Sequence, residues 1–103
     1  MFTISPQEPR KKQKEIVLVD VRTGYEWGLC HIKGAKHIPL NELPERISEL
    51  PKDKEIVTYC HHGHRSLHAA MYLSKLGYKA KSMDGGIDVW SQDIDSSVPR
   101  YEG

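Results

Sequence analysis

The sequence predicts an α/β fold in which helices flank both faces of a parallel-stranded central sheet. Residues 15–21 and 55–60 are short, nearly continuous apolar runs rich in β-branched side chains, as is typical of strands buried on both faces. Helical patterns separate these runs, and parallel strands need such crossover connections. A chain of 103 residues has room for one hydrophobic core, so we expect a single domain over residues 1–103.

Weaker patterns predict the remaining elements, which continue the alternation of strands and helices along the chain. Three further strands are expected, one weak and two short ones at the sheet edges: residues 79–83, 3–5 and 37–39. Three helices are expected where apolar side chains recur at helical spacing: residues 43–50, 66–76 and 87–92. Gly77 ends the second helix. Three large aromatic residues are expected in the core: Trp27, Tyr59 and Trp90.

Composition narrows the range of partners. Fifteen Lys and Arg against fourteen Asp and Glu leave a net charge of +1, too little for a dedicated nucleic-acid binder. No apolar run is long enough to span a bilayer, and the first residues lack the basic and apolar regions of a signal peptide. We therefore expect no nucleic-acid or membrane partner, a cytoplasmic location and two reduced thiols, Cys30 and Cys60.

The segment after the second strong strand carries the clearest functional signal. It joins an apolar strand to an amphipathic helix, where α/β sheets bind ligands, and its residues are Cys60, His61, His62, Gly63, His64, Arg65 and Ser66. Such a turn can point successive backbone N–H groups inward as an anion-binding nest, reinforced by the helix dipole. These donors and Arg65 favour a thiolate on Cys60. Cys60 is therefore predicted to be a nucleophile whose anionic products the same donors stabilise.

Several blocks, in the right order, resemble the rhodanese family of sulfurtransferases. The pattern Cys60-x-x-Gly63-x-Arg65-Ser66 is similar to the family's active-site loop. Two other regions resemble its first and last characteristic blocks: residues 18–22, 26, 31–35 and 38–39, and residues 83–86 with residue 90. The resemblance covers about residues 4–90 and leaves residues 91–103 as a carboxyl-terminal tail.

The resemblance implies a thiosulfate sulfurtransferase that needs no cofactor. Cys60 would take a sulfane sulfur from thiosulfate or a persulfide donor, hold it as a persulfide and pass it to cyanide or a thiol acceptor. Residues 61–66 would bind the sulfur-containing anion. Related phosphatases have a longer cysteine loop, whereas only four residues separate Cys60 from Arg65 here. This tighter loop suits a single sulfur atom better than a phosphoryl group, which argues against a phosphatase.

Some residues near these blocks have an implied supporting role, and for others the sequence allows two roles. Asp20 and Arg22 look like the family's Asp-x-Arg pair, which implies that they brace the loops by hydrogen bonds. Arg65 either fixes the loop or contributes positive charge. Cys30 stands where the family block usually has glycine, and it is either a small half-buried residue or a resolving thiol for Cys60.

Four of the six histidines cluster with the cysteine: His61, His62, His64 and His68. They are either exposed residues without a role or partly protonated groups that attract anionic donors. A native metal site is not expected, because the spacing along the loop matches no standard zinc pattern and inward N–H groups repel cations.

The sequence also bears on the amino-terminal flank and on alternative functions of the cysteine loop. Residues 7–13 replace the apolar helix usual in the family, which predicts a short or absent helix and a less covered flank suited to a partner. The cysteine loop also suits a partner-dependent sulfur-relay or interaction module, or a redox sensor built on Cys60 and Cys30.

Overall fold

The computed structural model describes residues 2–102 and confirms the parallel sheet. The strands in this part of the chain are β1 (Thr3–Ile4), β2 (Ile16–Asp20), β3 (Lys36–His37), β4 (Glu55–Tyr59) and β5 (Lys79–Met83). Every pairing is parallel, and the strand order is β1-β5-β4-β2-β3. The two strands predicted from the strongest apolar runs, β2 and β4, are neighbours inside the sheet, so the cysteine that follows β4 emerges near its centre.

The edge strands are shorter than predicted. β3 ends at His37, so the prediction of a strand over residues 37–39 is wrong for Ile38 and Pro39. The Ile38 N–H still donates to the Asp20 carbonyl oxygen at 3.0 Å, but Pro39 has no N–H with which to continue the ladder. β1 is likewise one residue shorter than the predicted strand.

Helices connect the strands and cover both faces of the sheet, as predicted. They are α1 (Gln7–Lys11), α2 (Gly24–Leu29), α3 (Leu43–Arg46), α4 (His64–Lys75) and α5 (Gly86–Asp93). The predicted helix over residues 43–50 is a single α-turn between two 3₁₀ turns, and α4 begins two residues earlier than predicted. Within residues 2–102, no helix is both long and apolar enough to cross a membrane.

α2 is not identified from the sequence, because the helix is only six residues long and none of its side chains is buried in the core. A capping box starts this helix: the Glu26 N–H donates to Thr23 Oγ1 at 3.2 Å, and the Thr23 N–H donates to Glu26 Oε1 at 3.3 Å. Trp27 is therefore only half-buried, and the prediction that it lies in the core is wrong. Its ring stacks instead on His31 and His37, with centroid distances of 3.7 and 4.7 Å.

Two apolar clusters occupy opposite faces of the sheet. On one face, Leu73 of α4 and Ile56 of β4 belong to the same cluster. On the other face, Trp90 of α5 packs in a cluster with Tyr59 of β4. Trp90 and Tyr59 are almost completely buried, which confirms both as core residues.

The amino-terminal flank is thinly covered, as the sequence predicts. α1 is only five residues long. A groove of about 590 Å³ lies beside it, between the polar residues 10–14 and an apolar floor that includes Ile16 and Leu18. This groove is at the amino end of β2, away from the cysteine loop.

The cysteine loop rests on the start of α5. The N–H groups of Ile87 and Asp88 donate to the carbonyl oxygens of Cys60 and His61, at 2.8 and 3.2 Å. Gly86 has a φ of +62°, and a Cβ atom at this position would overlap both carbonyl oxygens. The loop and α5 therefore fit together only with glycine at position 86.

Gly86→Ala is expected to destabilise the fold by at least about 2 kcal/mol, because steric overlap and a strained φ act together. Gly28→Ala is the matched control. Gly28 lies in α2 with open space around its Cα, so alanine there should raise stability by up to about 1 kcal/mol. Urea unfolding followed by far-UV circular dichroism measures both changes, and an unaltered midpoint for Gly86→Ala would contradict the described packing.

Candidate active site

The loop that the sequence singles out lies at the carboxyl end of β4 and leads directly into α4. Gly63 is the N-cap of α4 and has a φ of +111°, a left-handed conformation that favours glycine. The first N–H groups of an α-helix have no partner within the helix. The structure therefore brings the cysteine and the free donors of a 12-residue helix together.

The Cys60 sulfur is enclosed and hydrogen-bonded. Only 1% of the residue is exposed. The Gly63 N–H donates to Sγ at 3.1 Å, and the Ser66 N–H donates to it at 3.4 Å. The Ser66 hydroxyl lies 3.5 Å from the sulfur and 2.7 Å from the hydroxyl of Ser82. Donors in this arrangement stabilise negative charge on sulfur.

A cleft of about 580 Å³ opens above Cys60. One wall is formed by Tyr25, Glu26 and Leu29 of α2, and the loop histidines and Arg65 line another side. Tyr101 and Glu102 close the cleft from the carboxyl-terminal tail. Three separate segments of the chain therefore border the space in front of the cysteine.

Arg65 is held by Glu26 of α2. Its guanidinium donates to both carboxylate oxygens, at 2.6 and 2.9 Å. The hydrogen bonds from Arg65 hold the pKa of Glu26 well below its usual range, and the same pairing raises the pKa of Arg65. This bidentate contact supports the structural role that the sequence left open for Arg65, because the side chain ties the loop to α2 and its charge is matched by Glu26.

Asp20 and Arg22 form a fully buried ion pair. Arg22 donates to Asp20 through its backbone N–H, Nε and Nη2, the last at 2.6 Å. Arg22 also reaches the Cys30 carbonyl oxygen (2.6 Å) and the Tyr101 hydroxyl (3.0 Å). Burial opposes its charged form, but the hydrogen bonds to Asp20 more than offset this and raise the pKa of Arg22. Through these hydrogen bonds the pair joins β2 to the end of α2 and to the tail.

Tyr101 is a residue of the site that sequence reasoning missed, because it falls in the predicted tail. Its hydroxyl donates to Glu26 Oε2 at 2.6 Å. Its ring stacks on His61 with a centroid distance of 3.9 Å and an interplanar angle of 11°. Burial and the bond to Glu26 raise the pKa of Tyr101 to about 12. No local pattern signals these contacts, because Glu26 and Tyr101 are 75 residues apart.

The loop histidines have different surroundings. His61 is 4% exposed and lies against the rings of Tyr101 and His62. Burial and the nearby His62 lower the pKa of His61, which disfavours its positively charged form. His62, His64 and His68 are exposed. Of these, His62 and His64 line the cleft.

Cys30 and Cys60 are both free thiols, but they pack in different clusters. Cys30 is 8% exposed and belongs to the cluster that contains Trp90, whereas Cys60 belongs to the cluster on the opposite face of the sheet. This arrangement favours the interpretation of Cys30 as a small buried residue over that of a resolving thiol.

The fold and the loop together define a class of protein: parallel α/β domains in which a cysteine ends a central strand and lies among the backbone donors that open the next helix. The family model for the rhodanese-like domain matches residues 5–93. The chain therefore belongs to the rhodanese-like domain family, which confirms the family indicated by the sequence blocks.

Relatives of the chain are named as sulfurtransferases. It is 39% identical over 80 residues to a sulfurtransferase of Allochromatium vinosum, covering 77% of this chain and 75% of that protein. It is 34% identical over 87 residues to the thiosulfate sulfurtransferase GlpE of Stutzerimonas stutzeri, covering 84% and 80% respectively. A rhodanese-related protein from Thermoplasma volcanium superposes with a TM-score of 0.86 at 31% identity, covering 91% of this chain and 94% of that one. These relationships support a sulfurtransferase activity in general.

Glu26→Gln is expected to lower the free energy of unfolding by about 1–2 kcal/mol at pH 7, because it removes the charge that Arg65 and Tyr101 bind. The pKa of Glu26 is lowered by folding, so its contribution is fully present above the unfolded carboxyl pKa of about 4.3 and is lost at lower pH. The difference in the free energy of unfolding between the native protein and the variant should therefore be constant from pH 7 to about 5 and shrink toward pH 3. Urea unfolding at four pH values tests this, and a difference that grows on acidification would refute it.

Proposed function

We propose that the chain is a rhodanese-type thiosulfate sulfurtransferase in which Cys60 carries the transferred sulfur as a persulfide. The observation that carries this proposal is the hydrogen bonding of Cys60 Sγ by the Gly63 and Ser66 N–H groups, at the base of an open cleft. The relative named thiosulfate sulfurtransferase supports thiosulfate as the donor.

In the first half-reaction, the Cys60 thiolate attacks the outer sulfur of thiosulfate. A sulfur–sulfur bond forms to Sγ while the bond to the sulfonate sulfur breaks, and the electron pair of that bond leaves with sulfite. No external oxidant or reductant is required. The Gly63 and Ser66 N–H groups stabilise the thiolate before attack, and we assign the N–H groups of residues 61–65 that remain free to the outer, anionic sulfur of the persulfide.

In the second half-reaction, the carbon of cyanide or the sulfur of a thiolate attacks the outer sulfur. The bond to Sγ breaks and its electron pair returns to Cys60, which regenerates the thiolate and releases thiocyanate or a new persulfide. The two steps form a ping-pong cycle. His61, His62, Gly63, His64, Arg65 and Ser66 bind the sulfur-containing anions in this scheme, while Asp20 and Arg22 support the loop.

The size of the loop favours sulfur over phosphate chemistry. Only four residues separate Cys60 from Arg65. Two backbone donors already converge on Sγ, and Arg65 is engaged by Glu26 in a bidentate pair. The remaining donors suit one additional atom on the cysteine, as a persulfide requires.

The first experiment is the intact mass of the reduced protein before and after thiosulfate. The native protein is expected to gain one sulfur atom, which cyanide removes. Cys60→Ser should gain none and lose sulfur transfer by at least about 1,000-fold. Cys30→Ser is the matched control and should gain the sulfur normally, because Cys30 packs in the other core cluster. A Cys60→Ser protein that transfers sulfur at the native rate would refute the proposed role of this residue.

An exposed apolar rim supports a second candidate function, the relay of sulfur between proteins. Tyr25 and Leu29 are 78% and 43% exposed, and both border the cleft above Cys60. They are four residues apart on α2 and so lie on one helix face. An exposed apolar pair beside the cysteine fits a protein surface better than it fits a small hydrophilic anion such as thiosulfate.

The double variant Tyr25→Ala, Leu29→Ser tests the relay. With a persulfide-loaded cysteine desulfurase as donor, its rate of sulfur uptake should fall about tenfold or more, since the variant removes two exposed apolar contacts. The rate with thiosulfate should be unchanged if the pair contacts only a protein donor. Met71→Ala is the control, because Met71 is similarly exposed (42%) on α4. An equal loss of the sulfur-uptake rate with both donors would argue against a relay surface on α2, and so would an unchanged rate with both.

A further inference from the structure

We propose that His61, His62 and Asp88 form a binding site for one divalent transition-metal ion of the zinc class at the side of the cleft. One ring nitrogen of each histidine and one carboxylate oxygen of Asp88 lie within 4.8 Å of one another. Imidazole nitrogen and carboxylate oxygen are both ordinary zinc ligands.

His61 supplies an independent indication of a ligand. The residue is 4% exposed, yet its Nε2 has no hydrogen-bond partner among residues 2–102. A buried polar atom without a partner is unfavourable, and coordination of a cation would satisfy it. The rings of Tyr101 and His62 pack against the imidazole and hold its orientation.

The backbone brings the three residues together. The Asp88 N–H donates to the carbonyl oxygen of His61 at 3.2 Å, so α5 and the loop are joined at two of the proposed ligands. His62 Nε2 lies 3.9 Å from Asp88 Oδ2. In a tetrahedral zinc site, metal–ligand distances of about 2.0–2.2 Å bring ligand atoms to roughly 3.3–3.6 Å from one another. The movement required is on the order of 1 Å, and the half-exposed His62 side chain can provide much of it.

Arg100 is the competitor for this site. Its guanidinium donates to both Asp88 carboxylate oxygens, at 3.0 and 3.1 Å, and its side chain is 55% exposed. A cation at Asp88 has to displace Arg100 or be repelled by it. Removing Arg100 should therefore strengthen metal binding, whereas removing a ligand should weaken it.

The spacing of the histidines along the cysteine loop does not reveal these three ligands, because Asp88 comes from α5 rather than from the histidine-rich segment. Three protein ligands also leave a fourth coordination position open. Since His61 and His62 line the cleft, we assign that position to water or to the sulfur of an anionic ligand in the cleft.

The test uses Co²⁺ as a spectroscopic substitute for zinc, with untagged Cys60→Ser protein so that the active-site thiol cannot act as a ligand. We expect one Co²⁺ per chain, visible absorption bands of a four- or five-coordinate site without a thiolate charge-transfer band, and loss of the bands on adding Zn²⁺. In the same background, His62→Ala and Asp88→Asn should each weaken Co²⁺ binding about tenfold or more. Arg100→Ala should strengthen it.

His68→Ala is the matched control, because His68 is exposed on α4 outside the proposed ligand set and its removal should leave Co²⁺ affinity unchanged. Absence of stoichiometric binding in the Cys60→Ser protein would overturn the proposal. So would equal affinity of the His62→Ala and His68→Ala variants, or weaker binding after Arg100→Ala. His62 is exposed, so its variant is expected to fold, and circular dichroism verifies this. The result is independent of sulfur transfer, which the Cys60→Ser background lacks in the proposed mechanism.

Discussion

Two hydrogen bonds from the start of α5 to the carbonyl oxygens of Cys60 and His61 set the orientation of the cysteine loop. A trans peptide is planar, and its C=O and N–H groups point in opposite directions. Once both carbonyl oxygens face α5, the N–H groups of His61 and His62 must face away from it. Gly86 permits this close approach, and Gly63 turns the chain so that its own N–H reaches the sulfur. The donor arrangement of the site is therefore a consequence of how α5 docks.

A second network joins distant segments around the same loop with nearly balanced charge. Asp20 neutralises Arg22, Glu26 neutralises Arg65, and the Tyr101 hydroxyl bridges the two pairs by accepting from Arg22 and donating to Glu26. Because these charges pair with one another, they contribute little net potential to the cleft. Backbone dipoles close to the sulfur are therefore the main source of anion stabilisation, which agrees with the small net charge of the chain.

Local patterns were sufficient to predict the central strands, α4 and the cysteine loop. β2 and β4 are apolar runs whose character is visible within a few residues, and the loop is defined by the change from strand to helix at Cys60. The parts that could not be predicted depend on contacts between distant residues. α2 is only six residues long and buries none of its side chains, and its Glu26 meets Arg65 across 39 residues. The role of Tyr101 becomes visible only when the tail folds back onto the loop.

The hydroxyl groups behind Cys60 form a buried polar layer that can respond to the charge on the sulfur. Thr58, Ser66 and Ser82 are buried, Thr58 donates to the Ser66 carbonyl oxygen at 2.8 Å, and the Ser66 hydroxyl lies within reach of the sulfur, of Ser82 and of the Gly63 carbonyl oxygen. A hydroxyl rotates about its C–O bond, so this layer can reorient its dipoles as charge on the sulfur grows or declines. When a bulky donor or a docked protein expels water from the cleft, the anionic sulfur therefore still keeps polar contacts on its buried side.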